Sequence, residues 1–304
     1  MNHPLTNPNG QIIALEGGQY SAGIATVGAG IQSLRLNGRD LVLPFDPDLV
    51  PHAYAGKTLV PWPNRIGSGT YVFEGREYSV PVNEASTGTA LHGLVVWADW
   101  QVASRSESSV VLEHTLHGQP GYPHQLLLSA EFSLSADAGL TVEIRAVNAG
   151  RTAAPYGVSS HPYLTVGQLP VDRCEVGFTA ARVLMTNERL LPVELKDTAG
   201  TRFDFAQPRL LGSMSLDHAF TGLPGDGWQV SLSNPETGES TVLSSPAGPA
   251  GSTWLQVYSG EELGRLGMAV EPMSCPPDAF NTGTDLVVLK PGDEHCFSYS
   301  ISAG

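Results

Sequence analysis

The chain has 304 residues, of which glycine (34) and proline (23) make up about 19% against an average near 12%, so turns are frequent and long helices few. Hydrophobic residues are 41%, enough for a large core, which excludes a disordered or fibrous chain. Sixteen basic against thirty acidic residues leave a formal net charge of −14, which excludes nucleic acid and anionic membranes as partners, because such binding runs on Lys and Arg.

Three cysteines (Cys174, Cys275, Cys296) form no C-x-x-C pair, so no disulfide framework is expected and a reducing compartment, the cytoplasm, is the simpler reading. The start, MNHPLTNPNG, has neither a basic region nor an apolar run, so no secretory signal is expected. No stretch approaches 18 consecutive apolar residues, so no membrane span is expected either.

In chain order, Gly28-Ala29-Gly30 lacks the third glycine and the following helix of a dinucleotide loop. Asn37-Gly38 separates Ile31–Leu36 from Arg39–Leu43, a type I′ hairpin signal. A short turn is expected near Ala53–Lys57. His114 and His117 fall on a strand, where positions three apart point to opposite faces, so no joint metal site is expected there. Leu126, Leu128, Ala130, Phe132 and Leu134 share one face of a strand. After the turn Ala136–Gly139, Leu140, Val142, Ile144 and Ala146 do the same. A second short turn is expected near Leu210–Leu216. Glu236-Thr237-Gly238 joins Trp228–Ser233 to Ser240–Ser245, and Phe297, Tyr299 and Ile301 alternate with serines near the end. No linker, repeat or low-complexity tract divides the chain. The prediction is all-β: one large antiparallel β-sandwich over residues 1–304, with few short helices and roughly fifteen to twenty strands.

Five segments break the alternation, and irregular loops on a rigid β scaffold are where sites sit. In Ser159-Ser160-His161-Pro162-Tyr163-Leu164, the neighbours restrict His161, and its imidazole titrates near neutrality. Taken alone it reads equally as a satisfied loop histidine. Glu271, in Met268-Ala269-Val270-Glu271-Pro272-Met273, ends an apolar strand and is a candidate base if buried. Its plain alternative is a sheet-edge carboxylate facing water. His92 lies in Leu91-His92-Gly93, ahead of Trp97 and Trp100, whose faces suit sugar stacking or a core. Arg65, after Asn64, offers a fork of donors for hydroxyls or carboxylates, or a structural ion pair. Asp217 can accept from two hydroxyls or cap a turn.

Taken together and in order, PWPNRIGSGTYVFEG (61–75), LHG (91–93), SSHPYL (159–164), LDHAF (216–220) and EPMSCPPDAFNTG (271–283) resemble the aldose 1-epimerase (galactose mutarotase-like) family. The EPM and HPY variants resemble its bacterial branch that includes sulfosugar mutarotase-like proteins. The resemblance implies a large twisted β-sandwich, His161 as general acid and Glu271 as general base. It also implies sugar binding by Asn64, Arg65, His92, Asp217 and Tyr163, with no cofactor and no metal. Three residues depart from the commoner family pattern: Ser160 before the histidine, Leu164 after the tyrosine, and Leu94 after L-H-G. Pro272-Met273 also replaces the usual Thr-Gln. These neighbours shape the pocket and so bear on the substrate.

The implied activity interconverts the α and β anomers of a free hexose by acid–base ring opening and closure. The implied partner is a small sugar, met by a monomer or homodimer in the cytoplasm. The alternatives are a non-catalytic sugar-binding or regulatory module, and a mutarotase of a sulfonated or phosphorylated hexose, for which Arg65 and Arg76 are the nearest cations in the motif blocks. A glycoside-cleaving enzyme using Asp217 and Glu271 is a further rival.

Overall fold

The computed structural model describes residues 7–304. It contains 27 strands and a few single-turn helices among the described residues. That exceeds the fifteen to twenty expected: nineteen strands are four residues or longer. The other eight are two or three residues, too short to carry a period of two in the sequence. Three of these, Arg65–Gly67, Thr89–Leu91 and Tyr163–Leu164, contribute to the wall of the cavity described below.

Two antiparallel sheets carry the fold. One runs Ile12–Gly17, Tyr20–Ala25, Gly30–Leu36, Arg39–Val42, Tyr163–Leu164, Met268–Met273, Trp254–Tyr258, Asp217–Thr221, Arg182–Thr186, Pro192–Asp197, with two short strands attached beside its centre. The other has nine strands, with Leu126–Ser135, Gly139–Asn148 and Glu294–Ala303 in its middle. The alternation read from the sequence is the alternation of burial: Leu126, Leu128, Ala130, Phe132 and Leu134 are buried, with exposed or half-buried residues between them. They pack in one apolar cluster with Leu15, Ile24 and Leu34 of the first sheet. Each sheet thus buries one face against the other.

The hairpin at Asn37-Gly38 forms as expected, both residues having positive φ, as a type I′ turn requires. The Glu236–Gly238 and Ala136–Gly139 connections also join adjacent strands. His52–Tyr54 is a single helical turn that overlaps the start of the region expected to turn, Ala53–Lys57. One expectation needs correction. The strand Ser109–Leu116 ends before His117, so alternation does not separate the two histidines, and both line one surface groove with Glu113 and Asp99.

A buried hydrogen bond links the sheets beside the site: the Tyr299 hydroxyl donates to Ser160 Oγ at 2.6 Å. Tyr299→Phe leaves the Ser160 hydroxyl short of a partner and is expected to cost about 1–3 kcal/mol, read by urea unfolding. An unchanged unfolding midpoint refutes that role.

Candidate active site

The six residues of Met268–Met273 are all buried, because the strand lies at the centre of a sheet covered on both faces. Glu271 sits inside this strand, not at its end. Proline is unusual in a central strand because it has no N–H to donate. Here Val270 N donates to Pro162 O, and Ser274 N to Val158 O. Residue 272 faces the same way, since orientation repeats every two residues. Its missing donor points at the place where the neighbouring strand is itself interrupted, between Ser159–Ser160 and Tyr163–Leu164.

That interruption holds His161. Ser159 pairs with Met273 and Tyr163 with Ala269, so the register sets residue 161 opposite residue 271. His161 N donates to Lys57 O, and Gly56 N donates to His161 O. Gly56 has φ +75°, and a Cβ there would meet Ile31 O at 2.1 Å, so only glycine lets this support approach. His161 Nε2 lies 3.4 Å from Glu271 Oε1, and both side chains are buried (5% and 2% exposed).

His92 and Arg65 arrive together on the strand pair Arg65–Gly67 and Thr89–Leu91, in which Arg65 faces Leu91. The backbone N–H of His92 donates to Asn64 O, and the Asn64 N–H donates to His92 Nδ1 at 3.3 Å. An accepting Nδ1 on a neutral ring places the proton on Nε2. The His92 ring meets the His161 ring edge-on at 5.1 Å, and Tyr163 stacks on His161 at 5.1 Å. Asp217 begins a strand two places from Glu271, and Gln256 on the strand between donates to Asp217 Oδ1 at 2.5 Å.

Apart from Gln256, these residues line one cavity of about 430 Å³, together with Tyr54, Asn83, Glu84, Thr87, Tyr258 and Glu262. All seven residues singled out from the sequence (Asn64, Arg65, His92, His161, Tyr163, Asp217, Glu271) belong to its wall. Trp100 is core instead, Trp97 is half-exposed outside the wall, and Arg76 lies in another groove. The sequence reading missed Gln256, Glu84 and Tyr54. A polar Gln256 inside Trp254-Leu255-Gln256-Val257-Tyr258 was the available signal, of the same kind as Glu271 in its apolar strand. Glu84 and Tyr54 gave none, since both sit in irregular segments.

Burial dominates the electrostatics. It pushes Glu271 well above the usual carboxylate range, and the nearby Asp217 charge adds to that. It lowers His161 to about 4, with Arg65 acting in the same direction. It lowers His92 as well. Burial therefore disfavours the charged form of each group, despite their ion-pair distance. His161 Nδ1 and Glu271 Oε2 find no hydrogen-bond partner within the protein. Buried polar atoms without partners are costly.

His92, His161 and Glu271 bring potential ligand atoms within 4.8 Å of one another, the one such trio among the described residues. The trio does not suit a metal ion. Metal on His92 Nε2 moves the ring proton to Nδ1, where it confronts the Asn64 N–H. The arrangement suits proton transfer: an imidazole and a carboxyl share one pocket with a guanidinium and a second carboxylate.

No helix among the described residues is long and apolar enough to cross a membrane. The sequence model of the aldose 1-epimerase family matches residues 11–302. The uncharacterized protein YihR of Escherichia coli K12 is 42% identical over 96% of this chain and 93% of its own length. Pig (Sus scrofa) galactose mutarotase is 28% identical over 92% of this chain and 90% of its own. Among solved structures, a GalM/aldose epimerase homologue from C. elegans superposes with a TM-score of 0.85 at 20% identity, covering 97% and 98% of the two chains. A family match over nearly the whole length, together with this shared sandwich, shows that the chain belongs to the aldose 1-epimerase family.

Proposed function

We propose that the protein interconverts the α and β anomers of a free hexose, with His161 and Glu271 as its proton-transfer pair. The observation that carries this reading is the 3.4 Å approach of the two groups inside one buried cavity. Binding alone has no need of an acid and a base so close together. That counts against a purely sugar-binding module.

The chemistry balances without a cofactor. Glu271 as carboxylate takes the proton of the C1 hydroxyl. The C1–ring-oxygen bond breaks as C1 becomes an aldehyde, and imidazolium at His161 gives its proton to the ring oxygen. Rotation about C1–C2 turns the other carbonyl face toward the ring hydroxyl. On closure His161 takes its proton back, and Glu271 returns one to the C1 oxygen. After opening, the pair is a neutral imidazole and a protonated carboxyl. That is the arrangement burial favours. The pocket thus matches the proton distribution that accompanies the open-chain sugar. His92, with its proton on Nε2, and Arg65 donate to the developing charge on the opened oxygen.

Freshly dissolved α-D-glucose or α-D-galactose, followed by polarimetry or NMR exchange, is expected to equilibrate faster with the protein than in buffer. A sulfonated or phosphorylated hexose is the comparison arm. The Arg65 guanidinium, the one Arg or Lys side chain among the described wall residues, is already paired with Glu84. If no arm exceeds the buffer rate, the enzymatic reading fails.

A further inference from the structure

Glu84 lies in a loop that the sequence motifs do not include. Its two carboxylate oxygens take a fork of hydrogen bonds from Arg65, Nε at 2.7 Å and Nη2 at 2.8 Å. The hydroxyls of Thr87 and Thr89 donate to the same carboxylate. The loop closes on itself, with Gly88 N donating to Glu84 O and Glu84 N to Thr89 O. Arg189 clamps it from outside, donating to Thr87 O at 2.7 Å and Gly88 O at 2.9 Å. At the other end Asn83 exchanges two hydrogen bonds with the backbone of Leu91, the residue before His92.

This bracing exceeds what a surface ion pair needs. Two of the three guanidinium nitrogens are committed to Glu84, and the third, Nη1, donates to Asn64 Oδ1 at 3.2 Å. The planar group cannot turn, and it presents one fixed edge to the cavity. We propose that Glu84 is a positioning residue, acting through Arg65 to fix the donor edge that orients the reacting sugar. The proposal rests on the anomer-exchange reading of the site.

Glu84 also masks a charge. The groups that face His161 and Glu271 are His92, Tyr163, Arg65 and Asp217. The Arg65 charge lowers His161, Glu271 and Asp217 alike. Removing the Glu84 charge leaves Arg65 unopposed, so both limbs of the activity profile move toward acid.

The test is Glu84→Gln, measured by NMR exchange on the sugar that the wild type turns over. The expected result is a loss of about 10- to 100-fold in kcat/KM from misplacement of the bound sugar. An acid shift of the pH profile should accompany it, together with a lower melting temperature, because the change leaves the largely buried Arg65 guanidinium without its carboxylate. In an Arg65→Lys background, where no fork can form, the same change should alter kcat/KM by less than about threefold. Wild-type kinetics, or a loss with an unmoved pH profile, overturns the proposal. Should Glu84→Gln fold poorly, Thr89→Val removes one hydroxyl from the carboxylate and must show the same losses in smaller degree. A wild type that exchanges no sugar instead sinks the epimerase reading itself.

Discussion

Glu271→Gln is expected to lower kcat by about 10²–10⁴-fold while the protein stays folded. The amide keeps the shape of the carboxyl but takes no proton from the C1 hydroxyl. The same variant should be more stable than the wild type at neutral pH. Glu271 is raised well above its ordinary value in the folded protein, so the folded state binds the extra proton. Its contribution is fully present below the unfolded value near 4.5 and declines as pH rises toward the folded one. Gln carries no such dependence. Melting temperatures of the two proteins should therefore separate above about pH 4.5 and converge below it. A variant with undiminished turnover removes Glu271 from the chemistry. A variant no more stable at pH 7 refutes its burial as a strained carboxyl.

His161→Asn is the second large loss, again about 10²–10⁴-fold in kcat, and it carries a pH signature. The productive pair holds one proton between His161 and Glu271. With His161 lowered to about 4, the pair gains a second proton only near that pH. With Glu271 raised, the single proton is held to higher pH than an ordinary carboxyl would hold it. The wild-type kcat/KM should therefore hold a plateau that starts above about 4 and extends past the ordinary carboxylate range. It should fall below about 4, and again as Glu271 ionises. The two values belong to the pair as a unit. The residual activity of His161→Asn should lack the acid limb. Stability follows from the same shift. The folded state binds fewer protons at His161 than the unfolded chain, so the His161 contribution to stability rises with pH between about 4 and 6.5, opposite in sign to that of Glu271. The Asn variant loses that component. An acid limb that survives the substitution places the titrating group elsewhere.

The strands were legible where burial is one-sided. Leu126–Ser135 and Gly139–Asn148 alternate because one face meets the opposite sheet and the other meets water. The centre of the first sheet was not legible in that way. Met268–Met273 is buried on both faces, so period two disappears, and Glu271 reads as a strand end when it is a strand middle. His117 shows the converse error, since alternation was assumed beyond a strand that stops at Leu116. Glu84 left no pattern at all. Its role follows from a loop folding onto Arg65, 19 residues away.

By itself the sequence determined the β architecture, the hairpin turns and the short segments that carry His161, Glu271, His92, Arg65 and Asp217. Each follows from local chemistry, whether a side-chain period, a turn dipeptide or a polar residue in an apolar run. Only the tertiary structure decided that His161 stands across from Glu271. That placement comes from the pairing of Ser159 with Met273 and Tyr163 with Ala269, contacts between segments more than 100 residues apart. It also decided the protonation of the pair, because desolvation depends on everything packed around a group and leaves no trace in its immediate neighbours along the chain.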